Sequence, residues 1–228
     1  MIKKLVVGGC SIAHGCELYN DFMHPNNVAK SFSSYLARHL NLELHNIALS
    51  GASNEHIFLS CMETVTQLKN IDSIIVSWTS IQRLSWKNKN RHWFFIPSFA
   101  ASVNQLPDGT FETFIRNVEY DGAWCNSDNV EDIDTLKTQY RFFVNNYLDD
   151  FKVLLNKLKI YRLALQAFCK DRNVRLIEVT PFELPLSVYR YGKELSWVKE
   201  KRHPNEQEHE IIAHEILNKF YCSTDIDK

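Results

Sequence analysis

The sequence predicts a three-layer α/β/α sandwich built on a central parallel sheet, and three observations carry that expectation. Residues 2 to 8, "IKKLVVG", form a β-rich apolar run that stops at Gly8 and Gly9. Two further strand-like runs follow, "LELHNIA" at 42 to 48 and "DSIIVSWT" at 72 to 79. Segments of helical spacing separate all three, and the resulting β-α-β-α-β order is the signature of a parallel sheet covered on both faces.

The first helical segment, "NVAKSFSSYLARHL", lies after a polar loop holding Pro25 and puts Val28, Phe32, Tyr35, Leu36 and Leu40 on one stripe. Asn26 or Asn27 is the expected N-cap. The second, "SNEHIFLSCMETVTQLKN", spans 53 to 70. Beyond the third strand the pattern loosens. "RHWFFIPSFAASVNQLPDGTFETFIRNVEYDGAWC" carries aromatics, a Pro-Asp-Gly turn and a hairpin pattern across 92 to 115. An irregular insertion of about residues 87 to 130 is expected there, a lid or specificity wall whose aromatics form a small core of their own. Residues 131 to 170 then read as one or two long helices with Phe151, Leu154, Leu155, Leu158, Tyr161, Leu165 and Phe168 buried. "VRLIEVTP", 174 to 181, is a fourth core strand ended by Pro181, and Pro204 is expected at N1 of a last helix running to about Phe220. With no internal repeat or low-complexity linker, residues 1 to 228 are expected to form a single domain.

Composition restricts the chemistry. The 26 Lys and Arg against 27 Asp and Glu leave a formal charge of -1 with no long run of one sign, which gives nucleic acid and anionic membranes no handle. No apolar stretch has the length of a membrane span or of a signal peptide core. The six cysteines, Cys10, Cys16, Cys61, Cys125, Cys169 and Cys222, are scattered without metal-finger spacing in a chain long enough to bury a core. Reduced thiols, a cytoplasmic location and no metal are therefore expected.

Chemistry-bearing residues concentrate in "LVVGGCSIAHGCE", residues 5 to 17. A P-loop needs a lysine after its last glycine, and none follows Gly15. A dinucleotide fingerprint needs Gly-x-Gly-x-x-Gly, a spacing that "GGCSIAHG" lacks. A tyrosine-phosphatase loop starting at Cys10 needs an arginine where Cys16 stands. Two readings of Ser11 remain: a nucleophile at the C-terminal end of the first strand, or a serine that caps the following helix.

Gly9-Cys10-Ser11-Ile12-Ala13-His14-Gly15 resembles, with Cys for Asp, the Gly-Asp-Ser-x-x-x-Gly opening of the SGNH (GDSL) hydrolases. "NIALSGASN", 46 to 54, is similar to that family's second block, in which Gly51 helps form the oxyanion hole. Glu200-Lys201-Arg202-His203-Pro204-Asn205 resembles the last block, Asp-x-x-His before a helix, with Glu200 in the aspartate's place. The third block departs from the pattern: "SWTSIQR" has no Asn, and Thr79 occupies its place. Gly-Cys-Ser together with Trp-Thr-x-x-x-Arg resembles a branch of the family also met in phage-encoded proteins. The matching blocks cover a minority of the chain, but their order is that of the family.

The resemblance implies a flavodoxin-like SGNH hydrolase fold with strand order 2-1-3-4, a fifth strand being usual in the family. It implies Ser11 as nucleophile, His203 as general base, Glu200 as the acid that orients it, and an oxyanion hole from Ser11 N-H, Gly51 N-H and Thr79. Asn54, Trp78 and Arg83 are expected to contact substrate, Arg83 through an anionic group or by pairing with a core acid. The expected activity is cofactor-free hydrolysis of a small acyl ester, on a small molecule or a glycan, with O-acetylated carbohydrate preferred over lipid aggregates. An acyltransferase using the same serine and a non-catalytic binding protein are the alternatives, and the oligomeric state is left open.

Three features are set aside. His209 and His214 are five apart and cannot share a helix face as zinc-protease histidines do, so both are expected to be surface or half-buried residues. His14 is expected to point away from Ser11, and Cys10 and Cys16 to be packing residues.

Overall fold

The computed structural model describes residues 2–16, 18–19, 24–79, 81, 83–87, 91–97, 113–119, 124–125, 151–179 and 203–222. Strands β1 (Lys4–Gly8), β2 (Glu43–Asn46), β3 (Ile71–Ser77) and β8 (Arg175–Val179) form one wholly parallel sheet in the order β2-β1-β3-β8. That is the order 2-1-3-4 expected for the first four sheet strands. The helices are α1 (Ser11–His14), α2 (Phe32–Leu40), α3 (Asn54–Gln67), α4 (Phe151–Asp171) and α5 (Glu206–Phe220).

Alternation along the central strands makes the three layers. Leu5, Val7, Ile75, Ile177 and Val179 face Phe32, Leu36, Ala37, Ile212, Ala213, Ile216 and Leu217 of α2 and α5. Val6, Ile74 and Val76 point the other way, to Ile57, Cys61 and Val65 of α3 and to Leu154, Leu158 and Leu165 of α4. A strand buried on both faces is apolar at every position, which is why Leu5, Val6 and Val7 form an unbroken run rather than an alternating one.

Between β3 and α4 the insertion is more regular than expected. Strands β4 (Leu84–Lys87), β5 (Arg91–Pro97), β6 (Thr113–Glu119) and β7 (Trp124–Cys125) pair antiparallel in chain order. The hairpin expected across 92 to 115 is the β5-β6 pair, with His92 opposite Val118 and Phe95 opposite Ile115. The Pro-Asp-Gly turn, the helical pattern at 131 to 150 and Pro181 lie outside the described residues.

Two helix starts differ from the sequence reading. The stretch Pro25–Lys30 is a 3-10 helix, and α2 begins only at Phe32 with Ser31 as N-cap. The Ser31 hydroxyl donates to the Val28 carbonyl at 2.7 Å, a local side-chain bond that interrupts helix propagation. Ser31, not Asn27, is therefore the N-cap of α2, and the Asn27 side chain accepts the Tyr19 N-H at 2.8 Å. Pro204 likewise precedes the N-cap of α5. Asn205 and Glu208 form a capping box, the Asn205 side chain accepting the Glu208 N-H at 3.0 Å and the Glu208 carboxylate accepting the Asn205 N-H at 2.8 Å.

Orientation of α5 follows from its far end. Tyr221 and Ser73 share a hydroxyl hydrogen bond of 2.7 Å, and Arg175 donates to the Phe220 carbonyl, so α5 ends where β3 and β8 begin. Its N-terminus, with His203 just upstream, consequently lies at the edge where the strands end. No helix among the described residues is long and apolar enough to cross a membrane.

Candidate active site

The chain leaves β1 towards β2 on one side and leaves β3 towards β8 on the other, so the strand order reverses between β1 and β3. Open parallel sheets present ligands in the crevice at that point, outside the C-terminal ends of the strands. Three of the sequence-predicted residues are there: Ser11 two residues beyond Gly9, Thr79 two residues beyond the end of β3, and Gly51 in the loop after β2.

Gly9 is the junction of those segments. Its carbonyl accepts the Leu49 N-H at 3.1 Å, which ties the Gly51 loop to the Ser11 turn. A Cβ on Gly9 would lie 2.6 Å from the Ala13 Cβ and 2.8 Å from the Ser77 Cβ, so the turn sits on the end of β3 with no room for a side chain. Gly9→Ala is accordingly expected to lower stability by about 1–3 kcal/mol, as overpacking of two rigid neighbours does. A urea midpoint unchanged from wild type would contradict that close approach. Gly51 has φ of 81°, left-handed backbone that glycine adopts without strain, and the turn around it is closed by Ala52 N-H donating to the Leu49 carbonyl at 3.0 Å.

Ser11 opens α1, a single turn closed by His14 N-H donating to the Cys10 carbonyl at 3.0 Å and by Gly15 in left-handed conformation. As the first helical residue its amide has no partner within the helix. The side chain is 3% exposed, and its hydroxyl meets one polar atom among the described residues, the Cys10 sulfur at a long 4.0 Å. Asn46 fixes the far end of this turn, its Nδ2 donating to the Ala13 carbonyl at 2.9 Å and to the Ser33 Oγ at 3.0 Å.

His203 is half-buried just ahead of α5. The first turns of α5 dock on α2 beside α1: Phe32 N-H donates to His209 Nδ1 at 3.1 Å, and Lys30 and Tyr35 both donate to Glu206, at 2.9 Å and 3.3 Å. Ser11 and His203 are thus brought to the same edge of the sheet, and no hydrogen bond joins them. Glu200 lies outside the described residues.

Thr79 is 1% exposed, and its Oγ1 is buried without a hydrogen-bond partner among the described residues. Asn54 reaches the Thr79 main chain: its Oδ1 accepts the Thr79 N-H at 2.8 Å and its Nδ2 donates to the Thr79 carbonyl at 3.0 Å. Trp78 is a core residue, 1% exposed among Ile57, Val76 and Leu158, with its indole N-H donating to Glu178 at 2.8 Å. Arg83 is buried one residue before β4.

His14 Nδ1 is 3.7 Å from the Cys16 sulfur, and burial lowers its pKa. Cys10, Cys16, Cys61 and Cys169 are buried free thiols; burial pushes Cys61 up strongly and Cys169 to about 11, which keeps both as unreactive thiols at neutral pH. His214 is exposed, but His209 is fully buried, a correction to the surface position expected for it. The signal was present in the sequence: His209, Ile212, Ala213, Ile216 and Leu217 form the inward stripe of α5 at helical spacing. No group of three His, Cys, Asp or Glu side chains suited to a metal occurs among the described residues.

Fold and site together define a doubly wound α/β protein with a serine-bearing turn at its topological switch point. No family model matches the sequence, and no curated protein matches it. Among solved structures the chain is similar to a member of the lipolytic protein G-D-S-L family from Veillonella parvula, at 11% identity and a TM-score of 0.36, covering 96% of this chain and 98% of that one. It is also similar to an alpha/beta hydrolase enzyme from the metagenome of Lake Arreo, at 16% identity and a TM-score of 0.39 with 99% of both chains covered. An acetyl xylan esterase from the rumen bacterium Butyrivibrio proteoclasticus is similar at 13% identity and a TM-score of 0.38; 95% of this chain covers 64% of that one.

Proposed function

We propose that this protein is a serine esterase of the SGNH type, acting on a small acyl ester through an acyl-Ser11 intermediate. The observation that carries the reading is the junction at Gly9, which gathers the segments bearing Ser11, Gly51 and Thr79 at the switch point of the sheet. In the proposed reaction the Ser11 Oγ attacks the acyl carbonyl carbon as its proton passes to His203. The tetrahedral oxyanion takes hydrogen bonds from the Ser11 and Gly51 amides and from the Thr79 hydroxyl. Collapse expels the alcohol, which receives the proton from the His203 imidazolium. Water, giving a proton to His203, then attacks the acyl-enzyme; collapse releases the acid, and the His203 imidazolium returns the proton to the departing Ser11 oxygen. Glu200 is assigned the role of orienting His203. No cofactor enters any step. The near-neutral charge favours soluble substrates, and O-acetylated carbohydrates are the first class to screen.

A second reading, a crevice that binds an acyl ester without turning it over, is favoured by the lack of a Ser11–His203 hydrogen bond. Catalytic hydrogen bonds often shorten only once substrate is bound, so the two readings separate by chemistry rather than by free geometry. A fluorophosphonate probe is expected to attach once per chain, at Ser11, and much more slowly in His203→Ala. A wild-type protein that neither reacts with the probe nor hydrolyses short p-nitrophenyl esters would leave only the binding reading.

A further inference from the structure

We propose that Asn54 is a positioning residue that fixes the Thr79 hydroxyl as an oxyanion donor, an inference that rests on the esterase reading above. Asn54 clasps the main chain of Thr79 at two points, Oδ1 taking the N-H at 2.8 Å and Nδ2 donating to the carbonyl at 3.0 Å. The two bonds hold the peptide planes on either side of one Cα. A β-branched side chain has little χ1 freedom once its backbone is fixed, so the clasp also sets the direction of the hydroxyl.

The clasp is itself anchored. Asn54 is buried as the first residue of α3, directly after Ser53, whose hydroxyl accepts the His56 N-H at 3.2 Å and caps the helix. On the other side, Trp78 N-H donates to the Val179 carbonyl at 3.0 Å and its indole N-H donates to Glu178 Oε1 at 2.8 Å. Glu178 is held in turn by Arg162 Nε at 2.8 Å and Gln166 Nε2 at 2.7 Å. These bonds pin both backbone polar groups of Thr79 and the residue before it. Yet Thr79 Oγ1, fully enclosed, has no hydrogen-bond partner among the described residues. A buried hydroxyl left unpaired lowers stability, and a protein that fixes the residue so firmly while leaving that atom idle has kept it for a ligand. The tetrahedral oxygen of the acyl intermediate is the ligand this crevice would bring to it. An asparagine in the place of Thr79 would donate from its own side chain. Here the donor is the shorter threonine hydroxyl, and the asparagine amide sits on the neighbouring helix as its support.

The test is a double-mutant cycle with Thr79→Val and Asn54→Asp, read on p-nitrophenyl acetate turnover, thermal unfolding and fluorophosphonate labelling. Thr79→Val keeps the shape and is expected to lower kcat about 100-fold while Tm stays level or rises. Asn54→Asp keeps size and acceptor but turns an oxygen towards the Thr79 carbonyl. It is expected to lower kcat about tenfold or more, with KM changed less than about threefold. In the Thr79→Val background the same change should lower kcat less than about twofold further, because its target is gone. Additive losses, or wild-type kcat in Thr79→Val, overturn the proposal. If Asn54→Asp fails to fold, Asn54→Ser, which shortens the side chain and breaks the clasp without adding a charge, takes its place in the cycle, and additive losses with Thr79→Val overturn the proposal in the same way. Ser11 labelled normally in a wild-type enzyme whose Thr79→Val variant is unimpaired sinks this inference and spares the esterase reading. An unlabelled, inactive wild type sinks both.

Discussion

Ser11→Ala is expected to lower kcat on short p-nitrophenyl esters by at least about a thousandfold, since the group that forms the acyl bond is removed. The fold should scarcely register the change. Among the described residues the Ser11 hydroxyl makes one long contact, 4.0 Å to the Cys10 sulfur, so its loss forfeits no short hydrogen bond to them. The segments that bear Gly51 and Thr79 are tied to Gly9 and Ser77, not to the serine side chain, and the crevice should still bind ester. The expected pattern is therefore a collapse of kcat with Tm unchanged and ester affinity retained. A variant hydrolysing at the wild-type rate would assign turnover to another group and end the acyl-Ser11 mechanism. Affinity for ester in a wild type that never turns it over would favour the binding protein.

Stability is expected to fall by about 3 kcal/mol between pH 7 and pH 4, with His209 as the main cause. This side chain is 0% exposed, stacks on Phe32 with ring centroids 6.0 Å apart, and accepts the Phe32 N-H, one of the amides that open α2 without an intrahelical partner. Burial holds its imidazole down to about 4, from an ordinary 6.5; the neighbouring His203 lowers it further and Glu208 opposes. The unfolded chain thus binds a proton between about pH 6.5 and 4 that the native chain refuses. Stability is full above the unfolded value and is lost as pH falls towards the folded one. Protonation would also remove the acceptor at Nδ1 and set a cation against the positive end of α2. His209→Asn keeps an acceptor near the Nδ1 position and cannot titrate. Its urea midpoint should be lower at pH 7, through lost packing, but flatter between pH 7 and 4. An equal slope in both proteins would place the acid sensitivity elsewhere. Because α5 also carries His203 at its entrance, activity is expected to fall along with stability in this range.

The acid-sensitive seam was readable in principle, as the stripe of α5 beginning at His209. The five-residue spacing of His209 and His214 excludes a shared helix face, and the same spacing lets His209 point inward while His214 stays in water. The capping box on α5 was equally open to inspection as Asn205-x-x-Glu208, one position beyond the proline that drew the helix start forward. Trp78 and Asn54 were different. Adjacent to the expected oxyanion blocks, they read as substrate contacts, and only the packing of α3 and α4 against β3 assigned one to the core and the other to the Thr79 main chain. The insertion shows a different limit: its hairpin was legible, but β4 and β7, of four and two residues, are too short to show an alternation of their own, although each pairs with its neighbour in sequence.

Local chemistry determined much of this protein. Unbroken apolar runs specify strands buried on both faces, helical stripes specify the layers that cover them, and Gly9, Ser11 and Gly51 mark turns at strand ends from their residue types alone. Tertiary structure decided which of those turns meet. Gly9 matters because Ser77 and Ala13 leave no space beside it, Thr79 because its hydroxyl finds no partner among the described residues while Asn54 holds its backbone, and His209 because α2 offers it a buried amide. Each depends on the positions of atoms from separate elements, and pairwise proximity of that kind has no period or spacing by which a linear sequence could announce it.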